Sequence, residues 1–125
     1  MLPSQHKLAN SEEFKQTIRK GKRAGRDTVV VHLRTNVFDH NDPNVTVGGP
    51  RCGLVVSKAV GNAVTRHAVS RKLRHVFLEL AREIPADHRV VIRALPPAAT
   101  ATFEELLEDV RRAYEKARKR AELAS

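Results

Sequence analysis

Aromatic residues, cysteine and long apolar runs are all scarce in this 125-residue chain. Phe, Tyr and Trp together make up 4% of the residues and Trp is absent, so few rings are available on which a ligand could stack. The single cysteine, Cys52, excludes an intramolecular disulfide and fits a reducing compartment. No apolar run reaches the roughly 20 residues of a membrane-spanning helix, and the N-terminal segment lacks the apolar core of a signal peptide. These absences predict a cytoplasmic protein that does not enter a membrane.

Motifs for catalysis by the polypeptide are missing as well. Ser57 and Ser70 have no positioned base, and no glycine-rich phosphate loop of the GxxxxGK type occurs. The histidines are scattered without the spacing of metal ligands. Asp39-His40-Asn41-Asp42 could bind a metal, yet it lies among turn-forming residues, so a solvated loop is the main interpretation and a nuclease site the alternative. The sequence therefore predicts neither catalytic residues nor a metal site.

Positive charge is the abundant feature of the chain. Lys and Arg number 23 against 14 Asp and Glu, which gives a formal net charge of +9. An excess of this size in a small domain is typical of proteins that bind nucleic acid, because Lys and Arg neutralise backbone phosphates. Five Lys and Arg residues lie between Lys58 and Arg74, a stretch that contains no Asp or Glu. This stretch is the strongest functional indication in the sequence.

Hydrophobic periodicity predicts a single α+β domain over residues 1–125, with flexible ends at about 1–10 and 119–125. Turn-forming residues over 36–50 predict a long connection. The predicted elements, in chain order, are a short helix that ends at Gly21, strands at 28–33 and 51–57, a helix at 62–83, a strand at 89–94 and a last helix that begins with the capping pair Thr102 and Glu105. This order is an α-β-β-α-β-α sandwich.

The helix predicted at 62–83 has two chemically different sides. At 100° per residue its apolar residues gather on one side, which we expect to face the sheet. They are Val69, Leu73, Val76, Phe77, Leu80 and Ile84. The opposite side carries His67, Arg71, Lys72, Arg74 and His75. Neighbouring cations on a helix repel one another, and a bound phosphate backbone would offset that repulsion.

The residues alone leave two interpretations of this basic side open. It is either a solvated helix face or a surface that binds nucleic acid, and the absence of acids between Lys58 and Val76 favours binding. Arg66 projects nearer the apolar edge, in the first helical turn. Gly61 is either a simple turn glycine or the residue that lets a phosphate approach the helix N-terminus. Both alternatives place Gly61 where the strand turns into the helix.

The basic stretch resembles the signature of the bacterial ribonuclease P protein family, in which Val-Gly-Asn-Ala-Val and then Arg-Asn-Arg follow a strand and open a helix. The matching residues are Lys58, Val60-Gly61-Asn62-Ala63-Val64, Arg66, Arg71 and Arg74. The resemblance covers nearly the whole chain, because further segments fall in family order, namely Leu2-Pro3, Glu13-Phe14, Lys20-Gly21, Arg51-Cys52-Gly53 and Val91-Ile92-Arg93.

Three positions depart from that signature. His67 stands where the family has its central Asn, Ala68 where it has its second Arg, and Ser70 where Lys is usual. The loss of the cation at Ala68 predicts an RNA contact that is weaker, or that shifts to Arg71 and Lys72.

The resemblance implies a fold and an activity. The fold is the ribonuclease P protein-like sandwich, which is ribosomal protein S5 domain 2-like, with an unusual left-handed βαβ crossover. The activity is endonucleolytic removal of the 5′ leader from precursor tRNA by a ribonucleoprotein, whose protein subunit binds RNA and is inactive alone. Cleavage would belong to the catalytic RNA, with Mg²⁺ held by that RNA and the substrate. The implied partners are the catalytic RNA and the precursor tRNA 5′ leader, with no membrane and no obligate protein partner.

The resemblance also implies two sets of contact residues. Those implied to bind the catalytic RNA are Lys58, Asn62, Arg66, His67, Ser70, Arg71, Lys72 and Arg74. Those implied to line a cleft for the single-stranded leader are Phe14, Ile18, Val31 and Lys58. Because only Phe14 among them is aromatic, charge must supply more of the leader binding. Phe14 as an ordinary core residue is the alternative, and Phe38 is interpreted as a hydrophobic plug, with a stacking platform as its alternative.

Two other functions fit parts of the sequence. A ribosomal or other structural RNA-binding protein would share the charge, the size and the order of elements. An autonomous nuclease would use Asp39 and Asp42, and the isolated protein would then cleave RNA. The three hypotheses differ in the RNA that co-purifies with the protein and in whether cleavage needs an RNA partner.

Overall fold

The computed structural model describes residues 11–37 and 50–124 of the chain. These residues form three helices and a four-stranded sheet. The helices are α1 (Ser11–Lys20), α2 (Ala63–Leu80) and α3 (Phe103–Ala124). The strands are β1 (Lys22–Gly25), β2 (Val29–Arg34), β3 (Arg51–Val55) and β4 (Arg89–Ala94). Short 3₁₀ turns follow α2 at Ala81–Glu83 and precede α3 at Pro96–Thr100. The predicted α+β class is confirmed.

The strands lie in the order β1-β2-β4-β3 within one mixed sheet. β2 pairs antiparallel with β1 and with β4, whereas β3 pairs parallel with β4. Parallel neighbours need a crossover connection, and α2 supplies it, so β3, α2 and β4 form a βαβ unit. This unit places the N-terminus of α2 shortly after the C-terminal end of β3.

β1 is a strand that the predicted order α-β-β-α-β-α lacks, so the order is corrected to α-β-β-β-α-β-α. Its sequence, Lys-Arg-Ala-Gly, contains no β-branched or aromatic residue and buries Ala24 alone, so it carries no strand signal of its own. It becomes a strand because it pairs with β2, from Lys22 opposite Leu33 to Gly25 opposite Val30. Tertiary pairing overrides local propensity at this edge of the sheet.

The main core lies between the sheet and the two long helices. Val31 of β2, Cys52 of β3 and Ile92 of β4 lie on this side and are 1% exposed or less. The buried residues of the helices are Val69, Leu73, Val76, Phe77 and Leu80 of α2, and Leu106, Val110, Ala113, Tyr114 and Ala117 of α3. The apolar side predicted for the basic helix is thereby confirmed, and Ile84 is buried just beyond it. Each large apolar side chain buried here contributes roughly 1.5–3 kcal/mol.

α2 begins and ends close to the predicted residues. Asn62 is its N-cap, as predicted, because Asn62 Oδ1 accepts a hydrogen bond from Thr65 N at 2.9 Å. The α-helix stops at Leu80 and a 3₁₀ turn continues to Glu83, which tightens the chain before Pro85.

α3 begins with the predicted capping pair. Thr102 N donates to Glu105 Oε1 at 2.9 Å, and Glu105 N donates to Thr102 Oγ1 at 3.1 Å. The helix then continues to Ala124. The segment predicted to be flexible at 119–125 is therefore helical through Ala124, and its mobility stays a prediction.

α1 lies across one end of the other face of the sheet. Near its start, Glu13 Oε1 lies 3.4 Å from Nε of Arg89, the first residue of β4. At its end, Gly21 leads directly into β1, which pairs with β2. α1 therefore runs from β4 over β2 to β1, at the end of the sheet where Arg34 pairs with Arg89. The opposite end of this face keeps more of its side chains exposed.

Gly21 is required by the close approach of α1 to β2. A Cβ at this position would lie 2.3 Å from Thr17 O and 2.7 Å from Leu33 O, both of which are backbone atoms. At Gly25 a Cβ would make an ordinary contact, 3.7 Å from Val30 Cγ2. We expect Gly21→Ala to lower the free energy of unfolding by about 1–3 kcal/mol and Gly25→Ala to change it by less than about 0.5 kcal/mol. Urea denaturation of both variants measures this, and equal losses would contradict the steric explanation.

Some predictions fall on residues outside the described ranges and stay predictions. They concern the segment 1–10, residues 38–49 of the long connection, Phe38, and Asp39-His40-Asn41-Asp42. Within the described ranges, no helix combines the length and the apolar character needed to cross a membrane.

Candidate nucleic-acid interface

The turn between β3 and α2 brings a basic helix N-terminus to the surface. Gly61 has a φ of 158°, and a Cβ there would lie 2.9 Å from Thr65 Cγ2. The turn therefore requires a glycine at position 61 on steric grounds, whether or not a phosphate binds there. Asn62 uses its side-chain oxygen as the helix cap, and Lys58 is exposed just before it. The first turn of α2 contains no acidic residue that would neutralise the positive end of the helix dipole.

α2 carries its predicted RNA-binding residues in two rows. Arg66, Ser70 and Arg74 follow one another at intervals of four residues and form the first row, which is half-buried. His67 and Arg71, also four residues apart, form the second row, which is exposed. α2 contains no acidic residue before its last turn, so these side chains have no carboxylate within their own stretch of helix. The two rows together are termed the cationic side of α2.

Lys72 and Arg66 differ from the others in their surroundings. Lys72 Nζ donates a hydrogen bond to Ala101 O at 3.1 Å, so Lys72 links α2 to the segment before α3 and lies apart from both rows. Arg66 lies at the edge nearer the core, as predicted, and its buried Nε has no hydrogen-bond partner in the described chain.

Ala68 leaves an apolar spot on the exposed surface of α2. It is exposed, and Val64, one turn earlier, is 79% exposed. A phosphate that approaches this part of the helix therefore meets one cation fewer than the family signature would supply, and Arg71 is the arginine about one turn farther along the helix.

On the face of the sheet that α1 partly covers, residues that pair across neighbouring strands line up in three rows. The row farthest from α1, termed the open row, contains Gly25, Val30, Arg93 and Val55, all exposed or half-buried. The middle row contains Arg23, His32, Val91 and Gly53. The row at the covered end contains Arg34, Arg89 and Arg51. The open and middle rows each contain an exposed arginine, Arg93 and Arg23, so this part of the face presents positive charge to solvent.

α1 and the β3–α2 turn bring three of the predicted leader residues to the borders of this face. Phe14 and Ile18 lie one turn apart and are half-buried, on either side of the fully buried Thr17. Lys58 lies three residues beyond Val55, the open-row residue of β3. Half-burial of Phe14 is compatible with both of its interpretations, packing and stacking.

Val31 does not belong to this face, and its assignment to the leader cleft is corrected. It is 0% exposed and lies in the main core on the other side of the sheet. Successive side chains of a strand point to opposite faces, so Val30 and His32 are the β2 residues that face α1. A run of apolar residues in this strand gave no alternation from which the sequence could reveal the two faces.

His32, Arg23 and Arg93 are residues of this face that the sequence prediction missed. His32 is 5% exposed, and neither ring nitrogen has a hydrogen-bond partner in the described chain. Burial lowers the pKa of His32, and the positive charges of Arg93 and Arg23 lower it further, so the ring is neutral near pH 7. The available signal was the alternation along β4, which places Arg93 on the face opposite Ile92.

The buried, neutral state of His32 predicts a stability that falls in mild acid. In the unfolded chain the imidazole takes up a proton near its ordinary pKa of 6.5, whereas in the folded chain it does so only at lower pH. The unfolded state therefore binds the proton first, and the free energy of unfolding decreases as the pH falls below that value. His88, whose pKa is also lowered mainly by burial, acts in the same direction.

Urea denaturation at about pH 8 and about pH 5 measures this effect. We expect His32→Leu to lose less stability between the two pH values than the wild type loses. His75→Leu, at an exposed position of α2, is the matched control and should keep the wild-type difference. A His32→Leu variant with the wild-type pH profile would show that His32 is not the responsible group.

Cys52, His88 and Tyr114, three further side chains that could react or titrate, are buried in the described chain. Cys52 is buried in β3, as predicted, and burial raises the pKa of its thiol. His88 Nδ1 and the Tyr114 hydroxyl are hydrogen-bonded at 2.8 Å, and burial raises the pKa of Tyr114 to about 12. Within residues 11–37 and 50–124, no group of three or more His, Cys, Asp or Glu could hold a metal ion. The interface described here thus offers charge, hydrogen bonds and limited apolar surface.

Comparison with known proteins points to one family. The family model Ribonuclease P matches residues 2–118. The ribonuclease P protein component of Corynebacterium diphtheriae is 64% identical over 116 residues, which cover 93% of this chain and 96% of that protein. The chain belongs to the ribonuclease P protein family. The ribonuclease P protein component of Nocardia farcinica is 49% identical over 124 residues, covering 89% of this chain and 80% of that protein.

Solved structures of the ribonuclease P protein share the fold. The Staphylococcus aureus protein has a TM-score of 0.72 and 23% identity, with 90% of this chain and 94% of that chain covered. The Thermotoga maritima protein has a TM-score of 0.68 and 22% identity, with 86% and 93% covered. Membership of the ribonuclease P protein family implies a role in tRNA 5′ processing and an RNA partner. It sets aside the hypothesis of a ribosomal protein.

Proposed function

We propose that the protein binds the catalytic RNA of ribonuclease P through the cationic side of α2 and the 5′ leader of precursor tRNA through the face of the sheet beside α1. In this way it assists the endonucleolytic removal of the leader, in the cytoplasm. The observation that carries the proposal is the acid-free, cationic side of α2, which follows directly on a second cationic surface formed by the sheet.

The cationic side of α2 suits a folded RNA. Arg66, Arg71 and Arg74 can each contact a phosphate, and the hydroxyl of Ser70 and the ring of His67 can hydrogen-bond to phosphate or to a 2′-hydroxyl. The positive end of the helix dipole adds to this attraction, because no acidic side chain occupies the first turn. The amide nitrogen of Asn62 and the ammonium group of Lys58 complete the proposed contact at the start of the helix.

The sheet face suits a single strand. Proteins that bind single-stranded RNA combine a positive groove with aromatic platforms, and here Arg93 and Arg23 supply charge on the sheet face while the half-buried Phe14 lies on α1 at its border. Ile18 and Val30 add apolar surface without rings. Leader binding is accordingly proposed to depend more on phosphate contacts than on stacking.

We assign bond cleavage to the catalytic RNA, with Mg²⁺ held by that RNA and by the substrate. The protein's contribution is electrostatic and positional. Two polyanionic RNAs repel each other, and a protein of net charge +9 between them reduces that repulsion, so that less Mg²⁺ is needed for the substrate to bind. The isolated protein is proposed to be inactive.

A cleavage assay at low Mg²⁺ tests the proposed function. The substrate is a precursor tRNA with a short 5′ leader, and the three arms are protein alone, a bacterial ribonuclease P RNA alone, and both together. We expect cleavage at the mature 5′ end only in the combined arm. Cleavage by protein alone, abolished by Asp39→Ala or Asp42→Ala, would instead support the autonomous nuclease. No stimulation of the RNA would refute the proposed function.

Substitution of Phe14 separates its two interpretations. Phe14→Leu keeps apolar volume in the half-buried position but removes the ring on which a base could stack. We expect it to weaken holoenzyme binding of the leader-bearing precursor by about fivefold to 100-fold, since stacking on a ring contributes ~1–3 kcal/mol per base. Binding of mature tRNA, which lacks the leader, should stay unchanged. Equal losses for both RNAs would assign Phe14 to the core.

A further inference from the structure

A groove between α2 and the start of α3 adjoins the cationic side of α2 and shares Arg71 with it. It has a volume of about 490 Å³ and is lined by Arg71, Lys72, His75, Leu78, Glu79, Arg82 and Phe103. The hydrogen bond from Lys72 Nζ to Ala101 O joins its two walls. The groove therefore has α2 on one side and Phe103, the first residue of α3, on the other.

The charge of the groove favours an anion. Arg71, Lys72 and Arg82 supply three basic side chains, while Glu79 is the single acidic residue among the described residues that line it. Arg71 lies on α2 and Arg82 on the 3₁₀ turn that continues it, eleven residues later, which separates their Cα atoms by roughly 16 Å. That span suits successive phosphates of a chain better than one isolated anion.

The groove also has apolar surface, which Phe103 and Leu78 supply. Phe103 is half-buried, and the neighbouring Leu78 is 37% exposed although it is a large apolar side chain. An accessible ring in a groove lined by cationic side chains is the arrangement by which proteins hold unpaired bases, with the base on the ring and the phosphates on the cations. A volume of this size accommodates a small ligand or a base.

We propose that this groove binds a short unpaired RNA segment, with one base against Phe103 and Leu78 and phosphates of the same segment on Arg71 and Arg82. The proposal rests on the proposed function, because Arg71 belongs both to the cationic side of α2 and to the groove, so an RNA bound to that side can continue into it. The unpaired segment belongs either to the catalytic RNA or to precursor tRNA, and binding experiments distinguish these two sources.

The test uses full-length protein with substitutions on each wall of the groove. Phe103→Leu removes the ring and Phe103→Tyr keeps it, so the second variant should restore binding if stacking is responsible. Arg82→Ala removes a cation, and Glu79→Gln removes the opposing carboxylate. Arg112→Ala is the matched control, because Arg112 is an exposed arginine of α3 that pairs with Glu108 and does not line the groove. Thermal unfolding of each variant establishes that it is folded.

The first readout is the equilibrium affinity for a substrate-free bacterial ribonuclease P RNA over a range of salt concentrations. We expect Phe103→Leu to weaken binding about tenfold and Arg82→Ala about fivefold, the latter with a salt dependence shallower by about 0.7 units. Glu79→Gln should tighten binding, and Phe103→Tyr and Arg112→Ala should stay within about twofold of the wild type. The second readout is the affinity of the holoenzyme for precursor tRNA.

The two readouts show which RNA supplies the unpaired segment and whether the groove binds it at all. Losses in the first readout identify the catalytic RNA as the source of the segment, and losses confined to the second identify precursor tRNA. If neither responds to Phe103→Leu and Arg82→Ala while Arg66→Ala weakens RNA binding, the groove proposal is overturned and the proposed function stands. If the wild-type protein binds neither RNA, the proposed function fails and the groove proposal fails with it.

Discussion

The double variant Arg66→Ala/Arg74→Ala is expected to bind ribonuclease P RNA about 100-fold more weakly than the wild type. Both arginines lie in the half-buried row of the cationic side of α2, where neither has an acidic neighbour within the preceding turns of the helix. A hydrogen bond to a charged group contributes about 1.5–3 kcal/mol, so two lost phosphate contacts account for at least this change in affinity. Each lost contact also makes the logarithmic salt dependence shallower by about 0.7–0.9 units.

Titrations of the RNA at several salt concentrations measure both quantities. The control is Arg112→Ala/Lys119→Ala, which removes the same charge from exposed positions of α3. An equal loss in this control would show that net charge, and not the α2 surface, determines affinity.

Ala68→Arg should change the affinity in the opposite direction, because it restores the cation of the family signature at an exposed position. We expect it to tighten binding about tenfold and to steepen the salt dependence.

Arg89→Ala is expected to lower the free energy of unfolding by about 3–5 kcal/mol. The Arg89 side chain is 2% exposed, and its Nε lies 3.4 Å from Glu13 Oε1 on α1. Its Nη1 also donates to Ala86 O at 3.0 Å and to His88 O at 3.2 Å. The substitution removes the buried cation that faces Glu13, leaves backbone acceptors with fewer donors and opens a cavity where α1 meets the sheet.

Urea denaturation at neutral pH checks this prediction. Arg93→Ala is the matched control, because Arg93 lies on the same strand and the same face but is exposed, and it should change stability by less than about 0.5 kcal/mol. Arg89→Met, an apolar side chain of similar length, should lose less than Arg89→Ala. A loss below about 1 kcal/mol for Arg89→Ala would mean that α1 is held to the sheet without this arginine.

Much of the interface could be predicted because its signals are local. The two sides of α2 follow from helical periodicity, and the caps at Asn62 and at Thr102 with Glu105 follow from short-range hydrogen-bonding patterns. The strand at 89–94 was predicted with its observed bounds, since a β-branched run flanked by a Pro-rich segment is a strong signal. Each of these features depends on residues within one turn or one strand.

The parts that could not be predicted depend on contacts between distant segments. β1 has no strand propensity and forms because β2 offers it a partner. Val31 was assigned to the leader cleft, but an apolar strand buried on both sides shows no alternation, so only the register with β4 reveals that Val31 faces the core. Lys72 was grouped with the RNA-binding cations, and its link to Ala101 became visible only once α2 and α3 were packed together.

The sequence by itself determined the family, the basic character of the protein and the residues that form the cationic side of α2, because a helix converts spacing along the chain directly into a surface. Only the tertiary structure decided which face of the sheet each strand residue occupies, where α1 lies, and that α2 and α3 enclose a groove at Phe103. The physical reason is that these arrangements are set by strand pairing and by packing between segments far apart in the chain, for which no local pattern of residues carries the information.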